Sequence, residues 1–403
     1  MTTNKAGKIN AWTGASIVIA NMIGAGVFTS LGFQLVDLSN TGTILSLWLL
    51  GGVMALSGAF SYAEVGTQIR KSGGEYVFLS RIYHPLVGYL SGWVSISVGF
   101  AAPIALTTIA LLKYFPVQAV NNAFSGILLI GLITLVHSIN IRSSSRFQVV
   151  ATLIKVLLII VFILAGLLIP EGRNAISYTS SFWKEVSSPA FAIALIYVSY
   201  SYSGWNAAAY ITEEFANPRK DLSRALIGGT LAVTVMYILL QYVFLKHVPS
   251  EQLKGQLDVG AITARYLFGE NTAKVFSSAI SLFLISGISA MVWVGSRVTA
   301  KMAEEHLLWH FFQSNRKGIP VRALWLQFAI STLLLLTGTF EQIMIYCGLL
   351  LTLSSAMVVA GVFILRYRNR GKPKDGFQSP AFPLFQLMFI SLSAWIVVFA
   401  FNT

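Results

Sequence analysis

Two short stretches carry the residue types from which a ligand site can be built out of backbone alone. The first reads Ala20-Asn21-Met22-Ile23-Gly24-Ala25-Gly26-Val27-Phe28. The second reads Val198-Ser199-Tyr200-Ser201-Tyr202-Ser203-Gly204-Trp205-Asn206. Each sets Gly, Ser and Ala into the middle of an otherwise apolar run. Glycine weakens a helix by about 1 kcal/mol relative to alanine, so both runs are expected to break there. A helix that starts at a break presents free N–H groups and the positive end of its dipole. Ile23–Val27 is therefore an expected anion site, with the N–H groups of Gly24, Ala25, Gly26 and Val27 suited to a carboxylate. A helix that stops at a break presents free carbonyls, and those of Tyr200, Ser201 and Ser203 suit an ammonium group. Donors on one side and acceptors on the other match an α-amino acid zwitterion. Tyr200 and Trp205 add aromatic surface to cover it, with Tyr200 as a gate. The competing reading is that Gly24 and Gly26 only let two helices pack closely, and that the aromatics only fill the core.

Such breaks need a setting that excludes water, and the composition supplies one. Of 403 residues, 55% are hydrophobic and 11% charged, with a mean hydropathy of +0.71. A soluble chain carries about 25% charged residues, so a soluble enzyme, a nucleic-acid-binding domain and a disordered chain are excluded. A bilayer-spanning helix takes about 20 apolar residues. Eleven such stretches are expected, at 9–35, 43–65, 83–112, 120–139, 147–169, 189–213, 225–246, 273–303, 321–338, 341–365 and 380–401. The first is read as an uncleaved span. A further amphipathic helix is expected at 259–268. The expected fold is an all-α polytopic membrane protein of one domain, 1–403. The two breaks fall five spans apart, so a five-plus-five arrangement puts them at matching positions of two halves, 9–169 and 189–366. An odd repeat length inverts the second half, and paired breaks of this kind point to a substrate site at mid-membrane. Span 380–401 stands outside the repeat.

The net charge of +13 is expected to follow topology rather than nucleic acid. Lys5, Lys8, Arg70, Lys71, Arg219, Lys220 and the run Arg366 to Lys374 lie on the side of the N-terminus. Only Lys113, Arg173, Lys184, Lys246, Lys254, Arg265 and Lys274 fall on the other. Positive residues collect in the cytoplasm, so the N-terminus is expected there and Thr403 outside the cell (inner) membrane. The single cysteine, Cys347, excludes an internal disulfide framework. The five histidines are scattered. His306 and His310 enclose Leu307-Leu308-Trp309 without the glutamate of a helical zinc motif, so no metal site and no cofactor are expected. No phosphate-binding loop is present.

Lys155 is the one basic residue away from the ends of a span. Nine residues from Arg146 place it roughly 14 Å into the bilayer, near the middle of a core about 30 Å thick. An ionisable residue at that depth reads as functional. Carbonyls near the first break, Ser286 and Ser289 are its candidate partners. It is expected either to stay charged, as a fixed substitute for a bound cation, or to exchange its proton during a cycle. Glu64, Glu213, Glu214 and Arg297 lie near span ends, where a solvated end and a gate pair are both open readings.

The chain also resembles the amino acid–polyamine–organocation superfamily of permeases, in particular bacterial relatives of the L-amino-acid transporters and serine/threonine exchangers. Ile23–Phe28 resembles its unwound first span, and Ala63-Glu64-Val65-Gly66 with Ser72-Gly73-Gly74-Glu75-Tyr76 its second span and following loop. Tyr202–Asn206, Glu213-Glu214 and Asn217-Pro218-Arg219 resemble span 6 and its exit. Gln148, Thr152 and Lys155 resemble the span 5 pattern, and Ser296-Arg297 the end of span 8. The chain lacks the family's usual Pro before Ser-Gly-Gly, and a twelfth span common there has no counterpart among the eleven. The resemblance implies a secondary transporter, not an enzyme, that moves L-amino acids by alternating access. It implies sodium independence, with Lys155 in the place of a sodium ion, by exchange or with protons. Asn21, Met22 and Ser203 lean towards small neutral substrates. Expected partners are the amino acid and membrane lipid, with no nucleic acid and no identified partner subunit. The alternative is a transporter-like sensor or non-transporting subunit. A channel is disfavoured, since the spans carry almost no charge to line a pore.

Overall fold

The computed structural model describes residues 8–115, 122–139, 142–170, 176, 178–315, 318–371 and 376–400. Lys5, Arg173, Arg316, Lys317, Lys372, Lys374 and Thr403 lie outside the described residues, as do the side chains of Arg146 and Gln148. In order, the helices are α1 (Ala11–Met22), α2 (Gly26–Asp37), α3 (Thr41–Ile69), α4 (Gly74–Ile82), α5 (Pro85–Val94) and α6 (Ala102–Tyr114). There follow α7 (Ala123–Ile139), α8 (Arg142–Leu168), α9 (Phe182–Val186), α10 (Pro189–Tyr202), α11 (Pro218–His247) and α12 (Ser250–Leu253). The last four are α13 (Val259–Glu305), α14 (Val321–Thr337), α15 (Phe340–Arg368) and α16 (Leu384–Ala400). A 3₁₀ segment, Ala207–Glu214, follows α10. Among the described residues there is no β-sheet, only the single bridge Ile9–Phe215.

Local chemistry sets these boundaries. The side chain of Asn40 accepts from the N–H groups of Gly42 and Thr43 and starts α3. Thr339 and Gln342 close a capping box on α15. Pro189 opens α10, where its missing N–H costs nothing. Gly269, at φ 78°, kinks α13 between the amphipathic turn and the long apolar run that were expected as separate elements. Gly73 and Gly74, both at positive φ, make the turn into α4, a helix the apolar periodicity does not announce.

Among the described residues five elements are long and apolar enough to cross a bilayer: α3, α5–α6 together, α11, α13 and α15. The pair α1–α2, bent by 42°, is long and apolar enough when taken together to make a sixth. α7, Thr152–Leu168 of α8, α14 and α16 are shorter apolar helices. The remaining expected stretch, 189–213, is divided between α10 and the 3₁₀ segment. α2 is buried along nearly its whole length, against α10 and the turn before α13. Gly32 approaches that turn so closely that a Cβ would sit 2.1 Å from the Gln256 carbonyl oxygen. α1 is the opposite case: Asn21 is exposed and Trp12 is 84% exposed.

Glu64 is neither a solvated end nor a gate. It is 1% exposed and takes two hydrogen bonds from Arg366, 2.7 Å from Nε and 2.8 Å from Nη2. The Ser379 N–H adds a third at 2.8 Å, and the guanidinium lies 3.9 Å over the Phe382 ring. One carboxylate thereby ties α3 to α15 and to the strap leading into α16. Removing one partner of a buried pair costs about 3–5 kcal/mol, because the other charge is left uncompensated. Glu64→Ala is therefore expected to lower the thermal unfolding midpoint of the detergent-purified protein clearly. An unchanged midpoint would show that the pair is not a structural tie.

Candidate functional site

Most peptide groups at the break between α1 and α2 have a partner that can be named. Unpaired peptide groups inside a membrane protein are costly, about 1–3 kcal/mol each. Here five of the carbonyls are taken up by the protein. Met22 O accepts from the Gly24 N–H (2.9 Å) and the Tyr237 hydroxyl (2.6 Å). Ile23 O accepts from Lys155 Nζ at 2.7 Å. Ala25 O accepts from the Phe28 N–H (3.0 Å) and the Thr29 hydroxyl (2.9 Å). Val27 O accepts from Gln241 Nε2 (3.0 Å), and Phe28 O from the Tyr114 hydroxyl (3.0 Å). The donors are treated differently. Among the described hydrogen bonds none is made by the N–H of Ala25, Gly26 or Val27. The first turn of α2 thus keeps three donors and a positive dipole end for something other than protein.

The second break lies directly opposite. α10 ends at Tyr202, and Gly204 turns the chain at φ 96°. A Cβ on Gly204 would sit 2.8 Å from the Asn21 carbonyl, at the end of α1. A Cβ on Gly26 would sit 2.8 Å from Ser201 Oγ and 2.9 Å from its Cα. Each break therefore needs one glycine to let the other approach. Ser201 Oγ donates to Tyr197 O (2.8 Å) and meets Ser30 Oγ (3.0 Å). Ser30 receives Gln34 Nε2 (3.3 Å), and Gln34 Oε1 receives the Trp48 indole N–H (2.9 Å). This buried chain fixes α2, α10 and α3 to one another. Lys155 completes the arrangement: it is 5% exposed, and its ammonium sits at the C-terminal, negative end of α1.

A cavity lies between the breaks, lined by Ile23, Gly24, Ala25, Gly26, Lys155, Tyr200, Ser201 and Ser203. Its far end is closed by buried Phe28, Thr107, Ile280, Phe283 and Leu284, whereas Asn21, Ser203, Gly287, Ala290 and Met291 at the other end are partly or fully exposed. The sequence-predicted residues are thus brought together, with corrections of role. The Gly24 N–H is turned back on Met22 O and is not open, because the chain reverses too tightly there. Ile23 contributes a carbonyl to Lys155 rather than a donor. Val27 is fully buried behind the lining, though its N–H belongs to the open turn. The Tyr200 carbonyl already accepts from the Ser203 N–H (2.9 Å), leaving those of Ser201 and Ser203 as the acceptors. Ser289 is paired with His137, Oγ to Nε2 at 2.8 Å, instead of with Lys155. Ser286 is buried on α13. Trp205 packs edge-on against Tyr62, ring centroids 4.7 Å apart, outside the lining.

Sequence reasoning missed the walls supplied by α6 and α13. Pro103, a lining residue, has no N–H for the fourth carbonyl before it. The preceding turn widens over Ser95–Ala101, where the Ala102 N–H reaches Ser97 O. A proline inside span 3 was the available signal. It also missed Glu75, which is 4% exposed. Its carboxylate accepts from the Tyr62 hydroxyl (2.7 Å), from Asn206 in the second break and from Tyr210 beyond it. The exposed Lys71–Glu213 pair, 3.0 Å, joins the same loop to the end of the 3₁₀ segment. Among the described residues no His, Cys, Asp and Glu cluster is placed to hold a metal.

Two interrupted helices that face each other across a cavity, inside a bundle of apolar helices, define a membrane protein with a small-molecule site. Residues 9–403 match the amino acid permease family, and the chain belongs to it. The b(0,+)-type amino acid transporter 1 of Oryctolagus cuniculus is 28% identical over 386 residues, covering 92% of this chain and 78% of that protein. The Asc-type amino acid transporter 1 of Mus musculus is 27% identical over 413 residues, covering 98% and 76%. The cystine/glutamate transporter of Homo sapiens is 26% identical over 381 residues, covering 90% and 74%. The family is one of integral membrane transporters rather than enzymes, and the general activity is amino acid transport.

The two glycines of the first break separate folding from binding. Gly26→Ala must displace Ser201, a clash worth about 1–3 kcal/mol, and is expected to lower both the thermal midpoint and amino acid uptake. Gly24→Ala meets nothing nearer than Met22 O at 4.0 Å, so it should leave the midpoint unchanged and reduce uptake alone. Thermal melts beside uptake in vesicles check both. Unimpaired uptake by Gly24→Ala would argue against a ligand at this turn.

Proposed function

We propose that this protein is a secondary transporter, permease or exchanger, of neutral L-amino acids, small ones among them, working by alternating access in the cell (inner) membrane. One observation carries the reading: the break between α1 and α2 has the carbonyls of Met22, Ile23, Ala25, Val27 and Phe28 taken up from within the protein and leaves the N–H groups of Ala25, Gly26 and Val27 open. A carboxylate is the ligand such a turn accepts. The carbonyls of Ser201 and Ser203 across the cavity suit the ammonium, and Tyr200 lies beside them as the gate.

Topology follows the charge distribution: eleven spans, N-terminus cytoplasmic, C-terminus extracytoplasmic, and two inverted halves, 9–169 and 189–366, that meet at the breaks. In that orientation the cavity opens beside Asn21 on the cytoplasmic side and is closed outside. Phe33 stacks on Phe340 there, centroids 5.6 Å apart, and Tyr197 donates to Glu341 at 2.6 Å. The structure is then an inward-facing state.

Lys155 supports sodium independence. Its ammonium already occupies a carbonyl of the break, where a coupling cation would otherwise find its ligand. Purified protein in proteoliposomes is expected to take up or exchange labelled neutral amino acids equally in sodium and in choline. Strict sodium dependence would refute the cation-substitute role, and no flux with any common amino acid would refute the transporter reading. Lys155→Ala leaves Ile23 O without its donor and is expected to cut uptake at least about ten-fold, the scale of 1.4 kcal/mol. Lys155→Arg should retain more. Equal activity in all three proteins would remove the role.

A further inference from the structure

If a substrate's carboxylate is held at the first turn of α2 and its ammonium at Ser201 and Ser203, its side chain has one direction left. That direction is the wall formed by α13, with Pro103 and Thr107 of α6 at its edge. The lining residues of α13 are Ile280, Phe283, Leu284, Gly287, Ala290 and Met291. They recur at intervals of three and four, so they form one face of the helix. None is charged. Lys155, the one charged lining residue, already donates to Ile23 O.

Within that stripe the bulk is uneven. Phe283 and Leu284 fill the turn before Gly287, and Met291 the turn after it. A Cβ built on Gly287 meets nothing within 4 Å, unlike Gly295 two turns on, where a Cβ would lie 2.4 Å from Gln327 Nε2. Gly295 is a glycine because a neighbouring helix presses on it. Gly287 has no such reason. Its backbone is helical, α13 being non-helical only at Gly269, so it is not required for an unusual turn either. Its absent side chain leaves room, and that room faces the site.

We propose that Gly287 sets the upper size limit for the substrate side chain. The space over it admits branched and unbranched apolar side chains of the leucine and methionine class, beyond the small neutral amino acids that the rest of the site accepts. Filling that space narrows the range without touching the groups that hold the carboxylate and the ammonium. This rests on the site assigned above and adds the side-chain class to it.

The test is competition and direct uptake in proteoliposomes with labelled alanine and labelled leucine, for wild type, Gly287→Ala and Gly287→Val. Alanine replaces glycine favourably in a helix interior, so Gly287→Ala is the variant least able to disturb folding. Thermal melts of both variants accompany the fluxes. Removing room for a methylene or two in an apolar pocket discriminates by about ten-fold or more. The expected result is that the leucine-to-alanine flux ratio falls by about that factor in Gly287→Val, with Gly287→Ala between. A leucine-to-alanine ratio unchanged in both variants overturns the proposal, as does wild type that carries alanine but not leucine. Both outcomes leave the transporter reading standing. Wild type that moves neither these nor any other amino acid overturns that reading, and this one with it.

Discussion

A helix interrupted inside a bilayer must find partners for the peptide groups it exposes, because lipid offers none. That constraint organises this molecule. Around Met22–Phe28, four side chains drawn from distant parts of the chain converge on carbonyls. Tyr237 and Gln241 reach in from α11, Lys155 from α8 and Tyr114 from α6. Neighbouring groups of the break itself, the Gly24 and Phe28 N–H groups and the Thr29 hydroxyl, supply the rest. The result is lopsided. Five acceptors are taken up and three donors are kept, so the break has a polarity that a close-packed glycine motif would lack.

Close approach is the second requirement. Gly26 against Ser201 and Gly204 against Asn21 bring the two breaks to backbone contact. The chain Ser201–Ser30–Gln34–Trp48 then ties α2, α10 and α3 together. The ends of α3 and α4 are held by other means. Glu75 gathers Tyr62, Asn206 and Tyr210, and Glu64 gathers Arg366 and Ser379. Both carboxylates are buried, and both act where a loop must be held against the end of a helix. At the α2 end Phe340 and Tyr197 are buried and Phe33 half-buried, whereas Asn21 at the end of α1 is exposed.

Much of this was legible in the amino-acid sequence. Hydrophobic runs located the apolar helices to within a few residues, since about 20 apolar residues have few alternatives to crossing or lining a membrane. Glycine and serine clusters located both breaks, because they weaken a helix locally whatever surrounds it. Lys155 stood out because a lone charge in such a run is expensive wherever it points. These are properties of short segments, and short segments are what a sequence displays.

What the tertiary structure decided is which group meets which. No local rule distinguishes the Gly24 N–H, spent on Met22 O, from the Gly26 N–H, left open; that depends on how tightly the chain reverses. Ser289 and Ser286 were equal candidates for Lys155, and only the packing of α7 on α13 gave Ser289 to His137. The walls from α6 and α13, Gly287 among them, carry no motif. Their importance comes from facing a cavity made by helices far away in the chain. Segment chemistry is written residue by residue, but a hydrogen bond across more than a hundred residues exists only once the fold has brought its two ends together.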